Sequence, residues 1–194
     1  IDVETNVPND MFTQMRSVIS LQHAILFDQK LNGRANVPAM LTTRDLLESE
    51  VEGRRRHRIE SLLKQAQLPP GKTLAQFDQS RLPLRIRRLL PELQAGAFVD
   101  RCQNLLFFGL PGTGKTHCAA GLGHALIETG RSVLFIPTFK LVGRLLVAKR
   151  DYELERELRR LDKFEVIILD DIGYVQQSRE EMEVLFTFLA ERYE

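Results

Sequence analysis

Two periodicities divide the chain. In its first half apolar residues recur at helical spacing. Met15, Val18, Ile19, Gln22, Ile25 and Leu26 share one helix face with a single polar interruption, and this predicts an amphipathic helix ending near the turn signal Asn32-Gly33. A second helix is expected to start after Thr42, whose hydroxyl can cap it with Asp45 three residues on. It carries Leu46, Leu47, Val51, Ile59, Leu62 and Leu63 and stops before Pro69-Pro70-Gly71. Residues 72–103 mix a turn-rich piece around Phe77 with a helix through Ile86, Leu89 and Leu90, and they read as the joint between an appendage and a core.

From Asn104 the pattern changes. Short apolar runs alternate with helical periodicity, as in a parallel sheet with helices on its faces. Strands are predicted at Leu105 to Phe108, Val133 to Ile136 and Glu165 to Leu169. Between them lie a helix starting at Lys115 with Ala119, Leu122, Gly123 and Leu126 on one face, a helix through Leu141, Leu145 and Leu146, and a charged helix from Tyr152 to Leu161. A last helix through Met182, Leu185, Phe186 and Leu189 follows the candidate cap Ser178. The expected organisation is a helical region over 1–68, a joint over 69–103 and an α/β core over 104–194.

Composition narrows the class. The chain has 194 residues, 43% hydrophobic and 27% charged, with a formal net charge of +1. That suffices for one sizeable core plus an appendage. The longest apolar runs fall far short of the roughly 20 residues needed to cross a bilayer. No secretion signal is visible, so a cytoplasmic protein without membrane partners is expected. Cys102 and Cys118 are too few and too far apart for a zinc knuckle or a disulfide framework and read as packing residues. Basic residues cluster at Arg54-Arg55-Arg56-His57-Arg58 and at Arg81, Arg85, Arg87 and Arg88. Contact with duplex DNA through phosphates is one reading. Helix-spaced ion pairs with Glu48, Glu50, Glu52 and Glu60 are the other.

The chemistry concentrates in two motifs. Gly109-Leu110-Pro111-Gly112-Thr113-Gly114-Lys115-Thr116 matches the eight-position P-loop, between a predicted buried strand and an amphipathic helix. Its glycines let the backbone curl into a nest whose N–H groups face phosphate oxygens, and the helix N-terminus adds a partial positive charge. Lys115 is expected to reach the β- and γ-phosphates and Thr116 to ligate magnesium. The following His117 is grouped with this nucleotide-binding run, but with no second ligand at metal spacing it is assigned no chemistry of its own. The second motif is Val166-Ile167-Ile168-Leu169-Asp170-Asp171, an apolar strand ending in two carboxylates. Asp170 is placed to hold magnesium and Asp171 to orient the attacking water.

Together these motifs resemble the IstB family, the AAA+ ATPase helpers of insertion-sequence transposases, which are similar in turn to DnaC-type helicase loaders. The resemblance runs from about Leu46 onward. It is carried by Lys72-Thr73-Leu74-Ala75-Gln76-Phe77-Asp78, the P-loop with its preceding strand, Asp171-Ile172-Gly173-Tyr174 and Glu191-Arg192-Tyr193-Glu194. It implies a P-loop NTPase of the AAA+ type that binds ATP and Mg2+, forms a homo-oligomer on duplex DNA and engages a transposase. It also implies that Phe77 either lines an adenine pocket or anchors packing. A helicase loader with the same site, or a weakly hydrolysing DNA-binding scaffold, are the alternatives. Asp171 stands where many AAA+ proteins have Glu, which implies slow hydrolysis. The chain opens on Ile1 and stops at Glu194 in a helical pattern, so a fragment is expected, truncated before the fourth strand that AAA+ cores insert between the first and third. The strands at Leu105 to Phe108 and Val166 to Leu169 are therefore expected not to pair.

Overall fold

A computed structural model describes residues 11–31, 42–174 and 178–193. The chain divides into two units, Ile1–His57 and Arg58–Glu194.

In the first unit, helix α1 spans Met11–Leu31. Ile19, Gln22 and Leu26 form its least exposed line, with Leu26 fully buried, while Val18 and Ile25 face solvent. The side chain of Met15 and the turn at Asn32-Gly33 lie outside the described residues. Helix α2, Thr43–Ala66, begins as expected. Thr42 Oγ1 accepts from the Asp45 N–H at 3.2 Å, and the Asp45 carboxylate accepts the Thr42 N–H at 2.7 Å. This reciprocal box satisfies two otherwise orphaned donors. The Thr42 backbone and hydroxyl donors hold the Asp45 carboxyl below its ordinary pKa.

The second unit is an α/β layer structure. Strands β1, Val133–Pro137, and β2, Val166–Asp170, pair in parallel with Val133 opposite Val166 and Pro137 opposite Asp170. Residue alternation along a strand sends neighbouring side chains to opposite faces. On one face Leu134, Ile136, Ile167 and Leu169 pack with Leu141, Val142 and Leu145 of α6 (Thr138–Arg150), Leu158 and Leu161 of α7 (Leu154–Leu161), and Val184, Leu185 and Phe188 of α8 (Arg179–Glu191). On the other, Val133, Val166 and Ile168 pack with Leu122, Leu126 and Ile127 of α5 (Lys115–Glu128), Ala66 at the end of α2, and Phe98 of the short α4 (Ala97–Asp100). Helix α3, Leu84–Ala95, precedes α4 and buries Leu90. The predicted cap of α8 is present as a full capping box between Ser178 and Glu181.

Three expectations need correction. Leu105 to Phe108 is not a strand, because it makes no ladder with any described residue. Leu106 and Phe108 are 76% and 88% exposed, and only Leu105 reaches the core. A strand exists through its neighbour's hydrogen bonds, and among the described residues the sheet consists of β1 and β2. The expected absence of pairing between this run and β2 holds. Cys118 is buried as expected, but Cys102 is exposed and left-handed at φ 51°, just past α4. Finally, α8 closes at Glu191 with Arg192 as its C-cap, before the chain's last residues.

Candidate functional site

The P-loop residues Gly109 to Lys115 connect the extended Leu105 to Phe108 run to α5. Gly112 and Gly114 adopt left-handed φ of 77° and 88°, where a β-carbon would be strained. Gly114 is the N-cap of α5 and, having no side chain, leaves the first-turn N–H groups without a side-chain acceptor. Those donors, together with the helix dipole, are the elements of an anion site. The Lys115 ammonium curls back over the loop and donates to Gly109 O and Leu110 O, each at 2.9 Å. Thr113 Oγ1 donates to the same Leu110 carbonyl at 2.8 Å. Lysine and loop thus hold each other in a ring, with a positive charge at its centre and Leu110 to Thr113 open to solvent.

The acidic strand end reaches this loop from β2. Thr116, in the first turn of α5, donates its hydroxyl to Asp170 Oδ1 at 3.0 Å across 54 residues of sequence. A hydroxyl and a carboxylate this close form a hard-oxygen pair of the kind that ligates Mg2+, which takes one or two protein oxygens and fills its octahedron with water and phosphate. Among the described residues no cluster of three or more His, Cys, Asp or Glu side chains competes for a metal. Asp171 follows with φ 56°. This left-handed conformation costs a non-glycine residue about 1–2 kcal/mol and is best tolerated by Asn and Asp. It turns the second carboxylate out of the strand direction into solvent.

A third component comes from the joint segment. Thr73 O lies 3.0 Å from His117 Nε2, and a carbonyl only accepts, so Nε2 carries the proton at that contact. The Phe77 ring meets the His117 ring edge-on, with centroids 5.1 Å apart at 61°. It also covers Gly114 so closely that a β-carbon there would lie 2.8 Å from Phe77 Cε2. Leu74 seats on Gly121, about two turns further along α5, where a β-carbon would lie 2.8 Å from both Leu74 Cγ and Leu74 N. His117 is therefore committed to the joint, and the P-loop's back is clamped by Thr73, Leu74 and Phe77.

Other residues singled out by sequence fall into structural roles. Arg87 donates to Gln79 O, Ser80 O and Leu82 O, tying the turn before α3 to that helix, while Arg85 and Arg88 are exposed. The Arg81 side chain lies outside the described residues. Arg54 pairs with Glu50 at 2.8 Å and Arg58 donates to Gly130 O at 3.2 Å. Arg192 of the terminal motif donates to Leu161 O, Phe164 O and Glu165 O and pairs with Asp162. Burial lowers its pKa, partly offset by the Asp162 charge, yet a guanidinium stays protonated. Its function is to fasten α8 to the turn that leads into β2. One residue that the sequence reading passed over is Thr138. It is fully buried at the start of α6, with its hydroxyl 2.7 Å from Asp170 O. The only signal in the sequence is a threonine directly after the proline that ends a parallel strand.

A sequence model of the family described as IstB-like ATP binding protein matches residues 21–194. Among curated relatives, the Pseudomonas aeruginosa protein named "Insertion sequence IS21 putative ATP-binding protein" is 45% identical over 148 residues, 76% of this chain and 56% of the relative. A correspondingly named insertion-sequence protein of Sinorhizobium fredii is 42% identical over 162 residues, 83% of this chain and 54% of its own. One of insertion sequence IS5376 from Geobacillus stearothermophilus is 38% identical over 149 residues, 77% and 59% of the two chains. The chain thus spans just over half the length of these relatives. Because the family match extends far beyond the P-loop that unrelated nucleotide-binding proteins share, into the joint and the helices on both faces of the sheet, the chain belongs to the IstB-like ATP binding protein family.

Proposed function

We propose that this chain binds ATP with Mg2+ and that the protein to which it belongs hydrolyses ATP as the helper of an insertion-sequence transposase, working as a homo-oligomer on duplex DNA. One observation carries the nucleotide reading: the Thr116 hydroxyl and the Asp170 carboxylate meet at 3.0 Å beside a P-loop whose lysine already sits at the loop's centre. Support for the transposition context comes from the three relatives above, all of them named for insertion sequences.

In this reading the first-turn N–H groups of α5 and the loop amides bind the phosphates, and Lys115 exchanges its loop carbonyls for β- and γ-phosphate oxygens. Thr116 and Asp170 would hold Mg2+, which supplies neutralisation of the phosphate charge when bound. Asp171 orients a water for attack on the γ-phosphorus, forming the new P–O bond as the bond to the bridging oxygen breaks and ADP leaves. The carboxylate arm of Asp171 is one methylene shorter than a glutamate's, in keeping with slow turnover. Exposed arginines such as Arg56, Arg85 and Arg88 would give DNA contacts that are sequence-independent and weaken steeply with salt.

The test is equilibrium binding of a fluorescent ATP analogue to the 194-residue chain, with and without Mg2+. Wild type is expected to bind and Lys115→Ala to lose binding by tenfold or more, on the order of the 1.5–3 kcal/mol that a charged hydrogen bond contributes. Equal binding by the two proteins would refute the site. Co-purification with the transposase of the same element, set against a replicative helicase, separates the transposition reading from helicase loading.

A further inference from the structure

Thr138 is the buried polar residue of the described core, at 0% exposure, and its hydroxyl is spent on one atom, Asp170 O at 2.7 Å. The reason lies in the ladder. Val166 N–H donates to Ser132 O at 3.1 Å. Because parallel rungs repeat every two residues, Val166 O, Ile168 O and Asp170 O take their donors from residues 134, 136 and 138 in turn. At residue 138 the chain has already left β1 and entered α6. Asp170, opposite Pro137, is therefore the last acceptor of the ladder. The Thr138 side chain adds its own donor to that last carbonyl, at the point where the chain turns from β1 into α6.

This hydroxyl bond fixes more than a carbonyl. Asp170 O belongs to the peptide plane that joins Asp170 to Asp171. Holding that plane sets the direction in which the Asp170 carboxylate meets Thr116 Oγ1 and the left-handed turn, φ 56°, by which Asp171 leaves the strand. We infer that Thr138 is a positioning residue for the acidic pair, acting through the Asp170 carbonyl to aim Asp170 at the metal and Asp171 at the water. This inference rests on the ATP–Mg2+ reading above and names a residue outside the P-loop and the acidic strand on which that site depends.

The experiment is a Mg2+ titration of the 194-residue chain with a fluorescent ATP analogue present, alongside binding of the same analogue in EDTA. Thr138→Val keeps the shape and removes the donor. It is expected to lower the apparent Mg2+ affinity by about tenfold or more, the usual effect of removing the group that orients a ligand, while binding in EDTA is unchanged. Thr138→Ser keeps the donor and is expected to stay near wild type. A Val variant with wild-type Mg2+ affinity overturns the inference, and so does a Ser variant as impaired as the Val one, since packing would then explain both. Should Thr138→Val fail to fold, Thr138→Ser decides alone: near-wild-type Mg2+ affinity upholds the inference, and a roughly tenfold loss with the donor retained overturns it. Failure of the wild type to bind nucleotide under either condition would instead refute the ATP-site reading, and this inference with it.

Discussion

The clamp of the joint segment on α5 can be measured by adding one methyl group in two places. Gly121→Ala puts a β-carbon 2.8 Å from Leu74 Cγ, 2.8 Å from Leu74 N and 2.9 Å from Leu74 Cδ2. Carbon contacts settle at about 3.5–4.0 Å, so the segment must retreat by roughly 1 Å, and a backbone nitrogen cannot swing aside as a side-chain tip can. Overpacking of this kind costs about 1–3 kcal/mol. Gly143→Ala is the matched control: it lies in α6, is exposed, and would meet nothing within 4 Å. Both substitutions gain the same helix propensity, about 1 kcal/mol. That gain cancels in the comparison, and the overpacking remains as the difference. Thermal unfolding followed by far-ultraviolet circular dichroism is expected to place Gly143→Ala above wild type and Gly121→Ala below the control by about 2–4 °C per kcal/mol. If Gly121→Ala melts at or above Gly143→Ala, the joint segment does not sit on α5 as described. The same retreat would pull Thr73 O from His117 Nε2 and Phe77 from Gly114, so Gly121→Ala is also expected to weaken nucleotide binding, whereas Gly143→Ala leaves it intact.

Other outcomes follow from single elements. Tyr152 is 96% exposed with φ 58° at the turn between α6 and α7. Replacing it by Gly is expected to relieve about 1 kcal/mol of left-handed strain and raise the melting temperature; a lowered one would mean the ring makes a contact that matters. Ser178→Ala removes one half of the α8 capping box and should cost about 1 kcal/mol in denaturant unfolding, with Ser178→Gly costing less. For Asp45 the folded pKa is depressed. Its contribution to α2 is therefore complete above the unfolded carboxylate value and is lost as pH falls through the folded one, below about pH 4. Amide exchange in the first turn of α2 should accelerate in that acid range, and Asp45→Asn should remove the pH dependence.

Much of this chain can be read without coordinates because the signals are local. The Thr42–Asp45 and Ser178–Glu181 boxes, the stop before Pro69-Pro70-Gly71, the apolar faces of α5 and α6, and the P-loop and the acidic strand each lie within a few residues of sequence, whereas α8 buries Val184, Leu185 and Phe188 and leaves the expected Met182, Phe186 and Leu189 exposed. Their physics is the satisfaction of helix ends, the 3.6- and 2-residue periods, and glycine where φ is positive. What the tertiary structure decided involves residues far apart. Leu105 to Phe108 has a strand's composition, but no described neighbour supplies its hydrogen bonds. Gly121 and Gly143 look alike as helical glycines, and only the approach of Leu74 separates them. Thr116 meets Asp170 across 54 residues, His117 meets Thr73 across 44, and Thr138 meets Asp170 across 32. The sequence by itself determined where the P-loop and the two acids fall along the chain. The packing of β1 beside β2 decided how the acids are held against it, because a ladder rung and a buried hydroxyl are defined only by the atom on the other strand.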